Sequence, residues 1–152
     1  MLPPFQTFMD EQATPVWRFL RAVLPDHDAE DCFQETFLAA LRSYPGLRNG
    51  SNLRSWVMTI AHRKAVDVHR SKKRTKPTDR IPDRAMPPAK EDDPELWAAV
   101  RGLPDKQREA VAHRFVNDMT YRDVARVMES TEAAARQNVS EGVRKLREVL
   151  KK

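Results

Sequence analysis

The sequence predicts an all-α protein built from two small helical modules joined by a proline-rich linker. Apolar residues recur at spacings of three and four, no strand-like alternation competes with them, and the chain has only four glycines. Five of the eleven prolines lie within residues 75–94, where helical periodicity stops. We therefore expect that segment to be a tether between roughly seventy-five residues and fewer than sixty.

Composition limits the class of protein. The formal net charge of +5 favours a polyanionic partner, and 40% hydrophobic residues argue against a disordered chain. The first residues carry neither a basic start nor an apolar signal core, and no apolar run is long enough to span a bilayer. We therefore expect a cytoplasmic protein without a membrane partner. The single cysteine, Cys32, is expected to be a small buried hydrophobe.

The first module is predicted to contain three helices around one core. Thr14 and Pro15 match an N-cap and a first helical position, so the first helix is expected to begin there and to stop at Pro25. An acidic helix is predicted from Asp28, its expected N-cap, to Tyr44, and a long helix from about Leu53 to Lys73.

Two apolar stripes should form the core of this module. On the long helix, Trp56 is expected to belong to the core rather than to serve as a stacking platform. Its inner stripe comprises Leu53, Trp56, Val57, Ile60, Ala61 and Val68. The stripe on the acidic helix comprises Ala29, Cys32, Phe33, Phe37, Ala40, Leu41 and Tyr44.

The opposite face of the acidic helix is unusual for a basic protein. Acidic groups in a first turn stabilise a helix through its dipole, so capping and solvation explain Asp28, Glu30 and Asp31. That explanation is weaker for Gln34, Glu35 and the outward-facing Leu38. The residues alone leave a solvated face and a protein-binding face open as alternatives.

A basic cluster occupies residues 62–76, with seven Lys or Arg residues and one acidic residue. It follows a small polar loop, residues 48–52. Positive charge beside hydrogen-bonding groups suits single-stranded DNA with unstacked bases. A solvated helix end is the alternative.

The second module is predicted to contain four helices, from about Pro94 to Arg101, Pro104 to Val116, Tyr121 to Glu129 and Glu132 to Leu150. The last two should form a helix-turn-helix, with Ala135, Val139, Gly142 and Leu146 directed inward. Thr120 and Thr131 are the expected N-caps.

The last helix is a candidate for DNA recognition. Arg136, Gln137 and Asn138 have the reach for base edges in a major groove. The cations further along suit phosphates: Arg144, Lys145 and Arg147. An ordinary helical hairpin with a charged, solvated face is the alternative.

Together the two halves resemble a known family. DAEDCFQETFLAALRSY and NLRSWVMTIAHRKAVDVHRSKKR resemble region 2 of an extracytoplasmic-function RNA polymerase sigma factor. LPDKQREAVAHRFVNDMTYRDVARVMESTEAAARQNVSEGVRKLREVL resembles region 4 of that group. The resemblance implies region 2 over residues 1–75, a linker over 76–94 and region 4 over 95–152. It implies a bacterial initiation factor that melts the −10 element and recognises the −35 element of promoter DNA.

The resemblance also implies site residues and partners. Asp31, Gln34, Glu35 and Leu38 match the surface that binds the clamp coiled coil of the largest catalytic subunit of core RNA polymerase. An anti-sigma factor is a further candidate partner, and neither a cofactor nor a metal is expected. The −10 residues would be Arg48, Asn49, Ser51, Asn52, His62, Arg63, Arg70 and Lys73. The −35 residues would be Thr131, Arg136, Gln137, Asn138, Arg144 and Lys145.

The sequence departs from the family pattern at three positions. Arg63 stands where the group commonly has asparagine, and Asn138 and Glu141 replace residues that are commonly basic. Fewer cations in the recognition helix weaken the attraction to phosphates. The promoter sequence is therefore not predicted. Because the chain ends just after this helix, no additional C-terminal domain is expected.

Two other classes of protein compete with this interpretation. A stand-alone helix-turn-helix regulator would use the N-terminal helices for dimerisation, but it leaves Gln34, Glu35 and the basic cluster unexplained. An enzyme would need His62, Asp67 and His69 as ligands or acid-base groups, and these lie on a highly basic helix. The remaining histidines, His27 and His113, are expected to be isolated from any such group.

Overall fold

The computed structural model describes residues 2–48, 52–74 and 93–151, with the side chains of residues 72–74 left out. Within these ranges the chain is helical and the all-α prediction is confirmed. Helix bounds in the first half are α1 Phe5–Val23, α2 Asp26–Ser43, a 3-10 turn Tyr44–Gly46 and α3 Leu53–Arg74. Those in the second half are α4 Pro94–Arg101, α5 Asp105–Val116, α6 Tyr121–Val127 and α7 Glu132–Leu150.

Helix α1 begins ten residues before the predicted first helical residue, Pro15, so that prediction is wrong, and Pro15 lies inside the helix. A proline inside a helix costs about 3 kcal/mol through the lost hydrogen bond and ring clash. Burial along one continuous apolar stripe offsets that cost. The buried residues of α1 are Phe8, Gln12, Val16, Phe19, Leu20, Ala22 and Val23.

Helix α2 also starts earlier than predicted, and Asp28 is not its N-cap. Pro25 occupies that position, and Asp26 in the first turn lies 3.4 Å from Arg21 Nε. The predicted core stripe is mostly buried, but Leu41 is 51% exposed. Thr36 is buried, because its hydroxyl donates to the carbonyl oxygen of Cys32 at 2.6 Å.

An aromatic cluster joins α1 and α3. The ring centroid of Phe8 lies 5.1 Å from that of Tyr44 and 5.6 Å from that of Trp56. Trp56 is partly buried and packs against the core, as predicted. Both ring pairs are tilted, and the contact between Phe8 and Trp56 packs α3 against α1.

The helix-turn-helix forms as predicted. The hydroxyls of Thr120 and Thr131 accept hydrogen bonds from the amides of Asp123 at 3.1 Å and Ala134 at 3.0 Å. Glu129 in the turn has φ of 53°, a left-handed conformation.

Helix α7 packs closely on α5. The four inward positions predicted from spacing are all buried. A Cβ atom at Gly142 would lie 2.6 Å from Val111 Cγ2, so only glycine allows this helix approach. The crossing sets the direction of the recognition helix.

The two modules pack against each other. Asn117 Nδ2 donates to the carbonyl oxygen of Pro15 at 3.1 Å, and Arg101 Nη2 donates to that of Arg21 at 3.2 Å. The rings of Phe19 and His113 stack with centroids 4.1 Å apart. Buried residues of α1, α2 and α3 therefore form one cluster with those of α5, α6 and α7.

Candidate protein and nucleic-acid interfaces

The outer face of α2 carries an exposed, chemically mixed patch. Asp31, Gln34, Glu35 and Leu38 are all exposed, and Leu38 is 53% exposed. Their spacing of three and four places them on adjacent turns. The structure therefore brings together all four side chains predicted for this face, which we call the α2 patch.

A groove borders the α2 patch where α1 meets α2. It has a volume of about 390 Å³ and includes Ala13, Trp17, Phe33 and Gln34 in its lining. The rings of Trp17 and Phe33 meet edge to face with centroids 5.6 Å apart. The half-buried apolar floor suits an apolar side chain of a partner. Sequence reasoning missed this groove because its walls come from two helices.

Cys32 lies in the core beneath the α2 patch. Burial, together with the carboxylates of Glu35, Asp28 and Asp31, raises the pKa of the Cys32 thiol to about 12. The thiol therefore stays protonated at neutral pH, in agreement with the prediction of a small buried hydrophobe. The same shift indicates that this face carries a negative potential.

The structure describes some of the predicted −10 residues and not others. Asn49 and Ser51 lie outside the described residues, as does the side chain of Lys73. Arg48 and Arg70 are exposed. Asn52 Oδ1 accepts a hydrogen bond from the Ser55 amide at 3.0 Å, so this side chain caps α3. The cap uses the oxygen of the side-chain amide and not its nitrogen.

Arg63 forms a contact between the modules. Its Nη2 donates to Glu129 Oε1 in the helix-turn-helix, and both side chains are more than half exposed. The hydrogen bond from Arg63 lowers the pKa of Glu129. In this conformation Arg63 is paired with a carboxylate of the second module. Nothing in the local sequence signals this long-range pair.

His62 faces the second module rather than open solvent. Its Nδ1 lies 3.5 Å from His113 Nε2, and His113 is fully buried against Phe19. The sequence did not predict this contact between His113 and a histidine of the first module. Burial lowers the pKa of His62 to about 4, and burial and His62 hold the pKa of His113 well below its usual range. Both imidazoles are neutral at physiological pH.

Charged groups near these histidines are also paired, both within α5 and between the modules. Arg108 Nε donates to Glu109 Oε2 at 2.8 Å, and His69 Nε2 lies 3.6 Å from Glu109 Oε1. Within the described ranges, no three of His, Cys, Asp and Glu are grouped so that they could hold a metal ion. The residues considered for an enzyme, His62, Asp67 and His69, therefore do not form such a group.

One flank of α7 presents two of the three predicted base-reading side chains, together with Arg144, to solvent. Arg136, Gln137 and Arg144 are exposed, and Gln137 Nε2 donates to Glu141 Oε1 at 3.3 Å. The Arg136 guanidinium carbon lies 4.5 Å from the ring centroid of Tyr121. Thr131 is exposed at the N-terminal end of the same helix.

Asn138 and Lys145 lie on the other flank of α7. Residues two apart on a helix are separated by about 200°, so Asn138 cannot share a face with Arg136. Asn138 lines a cavity of about 370 Å³ with residues of both modules, including His69 and Glu129. Lys145 borders a groove between α4 and α7. The six predicted −35 residues are thus divided between the flanks.

In the part of the chain that the structure describes, no helix is long and apolar enough to cross a membrane.

Two family models match this chain. Residues 9–75 match the family model Sigma-70 region 2, and residues 94–146 match Sigma-70, region 4. The family models cover most of the chain in the order that the sequence predicted.

Relatives and solved structures agree with these matches. RNA polymerase sigma factor CarQ of Myxococcus xanthus is 31% identical over 157 residues, covering 96% of this chain and 88% of the relative. ECF RNA polymerase sigma factor SigK of Mycolicibacterium vanbaalenii is 27% identical over 162 residues, covering 96% and 81%.

The fold is similar to that of two solved structures. The sigma factor RpoE from Bartonella quintana, solved in complex with the anti-sigma factor NepR, has a TM-score of 0.80 and 23% identity over 97% of this chain and 96% of that one. CnrH, solved in complex with the cytosolic domain of CnrY, has a TM-score of 0.74 and 18% identity over 97% and 87%.

Proposed function

This chain belongs to the extracytoplasmic-function group of the sigma-70 family, and we propose a division of labour between its two modules. As a sigma factor it binds core RNA polymerase and directs it to promoters. Residues 1–75 would bind polymerase and melt the −10 element, residues 76–94 would be the linker, and residues 95–152 would dock on the −35 element.

The α2 patch is the proposed docking surface for the clamp coiled coil of the largest polymerase subunit. The single observation that carries this proposal is that Asp31, Gln34, Glu35 and Leu38 are exposed together while the opposite side of α2 is buried. Carboxylates can pair with basic groups on the clamp, and Leu38 supplies apolar area. The groove beside Gln34 would extend this surface.

Helix α3 and the residues just before it are the proposed −10 surface. Arg48, Arg63 and Arg70 supply exposed cations, and the amide of Asn52 supplies a donor for an unstacked base. His62 would join this surface only after the modules separate, because it now faces His113. Arg63 must leave Glu129 before it can bind a strand.

The exposed flank of α7 is the proposed −35 surface. Arg136 and Gln137 would read base edges, and Arg144 would bind phosphate. Thr131 lies at the N-terminus of the recognition helix, the end that enters the major groove in this motif. Lys145 would bind phosphate from the other flank, and Asn138 would join only after the modules separate, because it lines the cavity between them.

Regulation by a protein partner is part of the proposal. The RpoE neighbour was solved with an anti-sigma factor, and we propose a partner of that class for this chain. We further propose that the chain acts in the cytoplasm, where polymerase works, and that it is non-enzymatic. Membership of the sigma-70 family is consistent with a non-enzymatic role.

Run-off transcription with purified core polymerase and a promoter library tests this proposal. Addition of the protein should produce transcripts that start at a fixed distance from a shared pair of sequence elements. A stand-alone helix-turn-helix regulator would bind duplex DNA without core polymerase and would produce no such transcripts. Failure of the protein to bind core polymerase would contradict the division of labour at its first step.

A further inference from the structure

Tyr121 occupies a special position in the helix-turn-helix. It is the first residue of α6, and the preceding Thr120 caps that helix. Two guanidinium carbons lie near its ring centroid, that of Arg114 on α5 at 4.7 Å and that of Arg136 on α7 at 4.5 Å. Both distances are within the range of cation–π attraction. The ring therefore links the recognition helix to α5.

The two arginines are held differently. Arg114 is half-buried, and its Nη1 donates to the carbonyl oxygen of Met119 at 2.8 Å. Arg136 is exposed and rests on the ring. An attraction between a cation and a π-system consumes none of the five guanidinium donors, so Arg136 keeps them for a ligand.

This contact matters because of where Arg136 lies. It is the fifth residue of α7, in the N-terminal part of a recognition helix that contacts base edges. A free arginine side chain samples many rotamers and loses that freedom on binding. A ring that already holds the guanidinium in one region reduces the entropy lost when it binds a base.

The ring also offsets the repulsion between two positively charged side chains. Arg114 and Arg136 carry the same charge and both lie beside Tyr121. A tyrosine face is negative in its quadrupole and stabilises both cations at once. An aliphatic residue of similar size would remove that attraction and leave the repulsion between the two guanidinium groups.

We propose that Tyr121 is a positioning residue for −35 recognition, whose ring orients Arg136 towards a base edge without itself reading a base. This inference rests on the proposed function, in which Arg136 reads the −35 element. It predicts that the aromatic ring, and not the phenolic hydroxyl, determines the discrimination between −35 sequences.

Binding of promoter duplexes by the reconstituted holoenzyme tests the inference. The probes are the −35 sequence that wild-type holoenzyme selects from a randomised library and a scrambled version of it. Tyr121→Leu should reduce the ratio of the two affinities by about two- to fivefold, the loss expected for one exposed cation–π contact. Tyr121→Phe should keep the wild-type ratio, since it retains the ring.

A double-mutant cycle separates positioning from a general structural role. In an Arg136→Ala background, Tyr121→Leu should cause no further loss of the ratio, because the group that it orients is absent. Thermal unfolding of each variant is the folding control. A ratio is compared rather than one affinity, so that a uniform loss of active protein cancels.

Three results would overturn the inference. If Arg136→Ala lowers the ratio but Tyr121→Leu does not, Arg136 reads the base without help and the proposed function stands. If Tyr121→Phe lowers the ratio as much as Tyr121→Leu does, the hydroxyl and not the ring is the functional group. If Arg136→Ala leaves the ratio unchanged, base reading by Arg136 fails and the role of Tyr121 fails with it.

Discussion

The α2 patch and the −10 surface of the first module differ in how accessible they are. Gln34, Glu35 and Leu38 face solvent, whereas Arg63 is paired with Glu129 and His62 faces His113. Both surfaces belong to one module, but part of the −10 surface, at His62 and Arg63, contacts the second module. Under the proposed assignments, polymerase would dock on the α2 patch without a rearrangement, whereas Arg63 would first have to leave Glu129 and His62 would have to leave His113 before they could bind the −10 strand.

The basis of that difference is the kind of contact that each surface makes. The α2 patch is formed by residues of one helix, so its geometry follows from helical spacing. The −10 surface includes a pair between residues 63 and 129, which the fold creates. An exposed ion pair is weak and is screened by salt, so this cover can be displaced by a polyanion.

The largest effect is expected from substitutions in the α2 patch. Gln34→Ala combined with Glu35→Lys should weaken binding to core polymerase by about a hundredfold or more, as expected for two dominant interface contacts. Neither side chain is buried, so helicity and thermal stability should be unchanged. Fluorescence-anisotropy titration against core polymerase measures the binding, and circular dichroism checks the fold.

The matched control for this variant is Gln6→Ala with Glu11→Lys. Both residues are exposed on α1, and the change in side chains and charge is the same. Normal polymerase binding by the Gln34 and Glu35 double variant would show that the α2 patch is not the docking surface. A loss caused equally by the control would indicate a general charge effect.

The second prediction concerns promoter melting. Arg63→Ala with Asn52→Asp should reduce open-complex formation by about thirtyfold or more while leaving polymerase affinity unchanged, because two base contacts of about 1–3 kcal/mol each are removed. Aspartate keeps the oxygen that caps α3, so this variant removes the Asn52 donor without removing the cap. Permanganate footprinting reports the melting.

Arg18→Ala is the control for this second prediction, since it removes an exposed cation from the same module. It should leave the footprint unchanged. Unaltered permanganate reactivity in the Arg63 and Asn52 variant would place the strand-binding surface elsewhere on the molecule.

The third prediction concerns how the stability of the folded protein depends on pH through His62, which contacts the second module. The pKa of His62 is about 4 in the folded protein and about 6.5 in its ordinary range, so the unfolded chain binds more protons between these values. Stability is therefore lost as the pH falls from about 6.5 to 4, by up to about 3 kcal/mol for this one group.

His62→Phe should remove that part of the pH dependence, because phenylalanine can pack on His113 without titrating. Urea unfolding at a series of pH values measures the difference in slope between wild type and variant. Identical pH profiles for wild type and His62→Phe would show that the module contact does not depend on a neutral imidazole.

Local patterns predicted much of this molecule. The caps at Thr120 and Thr131 and the buried face of α7 follow from residue type and helical spacing, and the structure has them as predicted. The exposure of the α2 patch was predictable for the same reason. These features depend on neighbours within one or two helical turns.

The features that the sequence did not predict depend on tertiary contacts rather than on neighbours within a few turns. Pro15 signals a helix start, but burial of a continuous apolar stripe extends α1 through it to Phe5. His113 and Arg63 are paired with residues far away in sequence, and no local pattern specifies those partners. Tertiary contacts of this kind decide which predicted DNA-binding residues are accessible.

Glu129 pairs with Arg63 of the proposed −10 surface, whereas the residues of the α2 patch face solvent. Glu129→Gln keeps the size of the side chain and removes the charge that pairs with Arg63. Free full-length protein would be titrated with a fluorescent single strand that carries its selected −10 sequence, and in parallel with core polymerase. Glu132→Gln, an exposed change of the same kind, is the control.

The predicted result is a gain of about two- to fivefold in single-strand affinity for Glu129→Gln, consistent with loss of one exposed ion pair, and an unchanged affinity for core polymerase. Glu132→Gln should leave both affinities at their wild-type values. Equal single-strand binding by wild type and Glu129→Gln would contradict the claim that the second module covers Arg63.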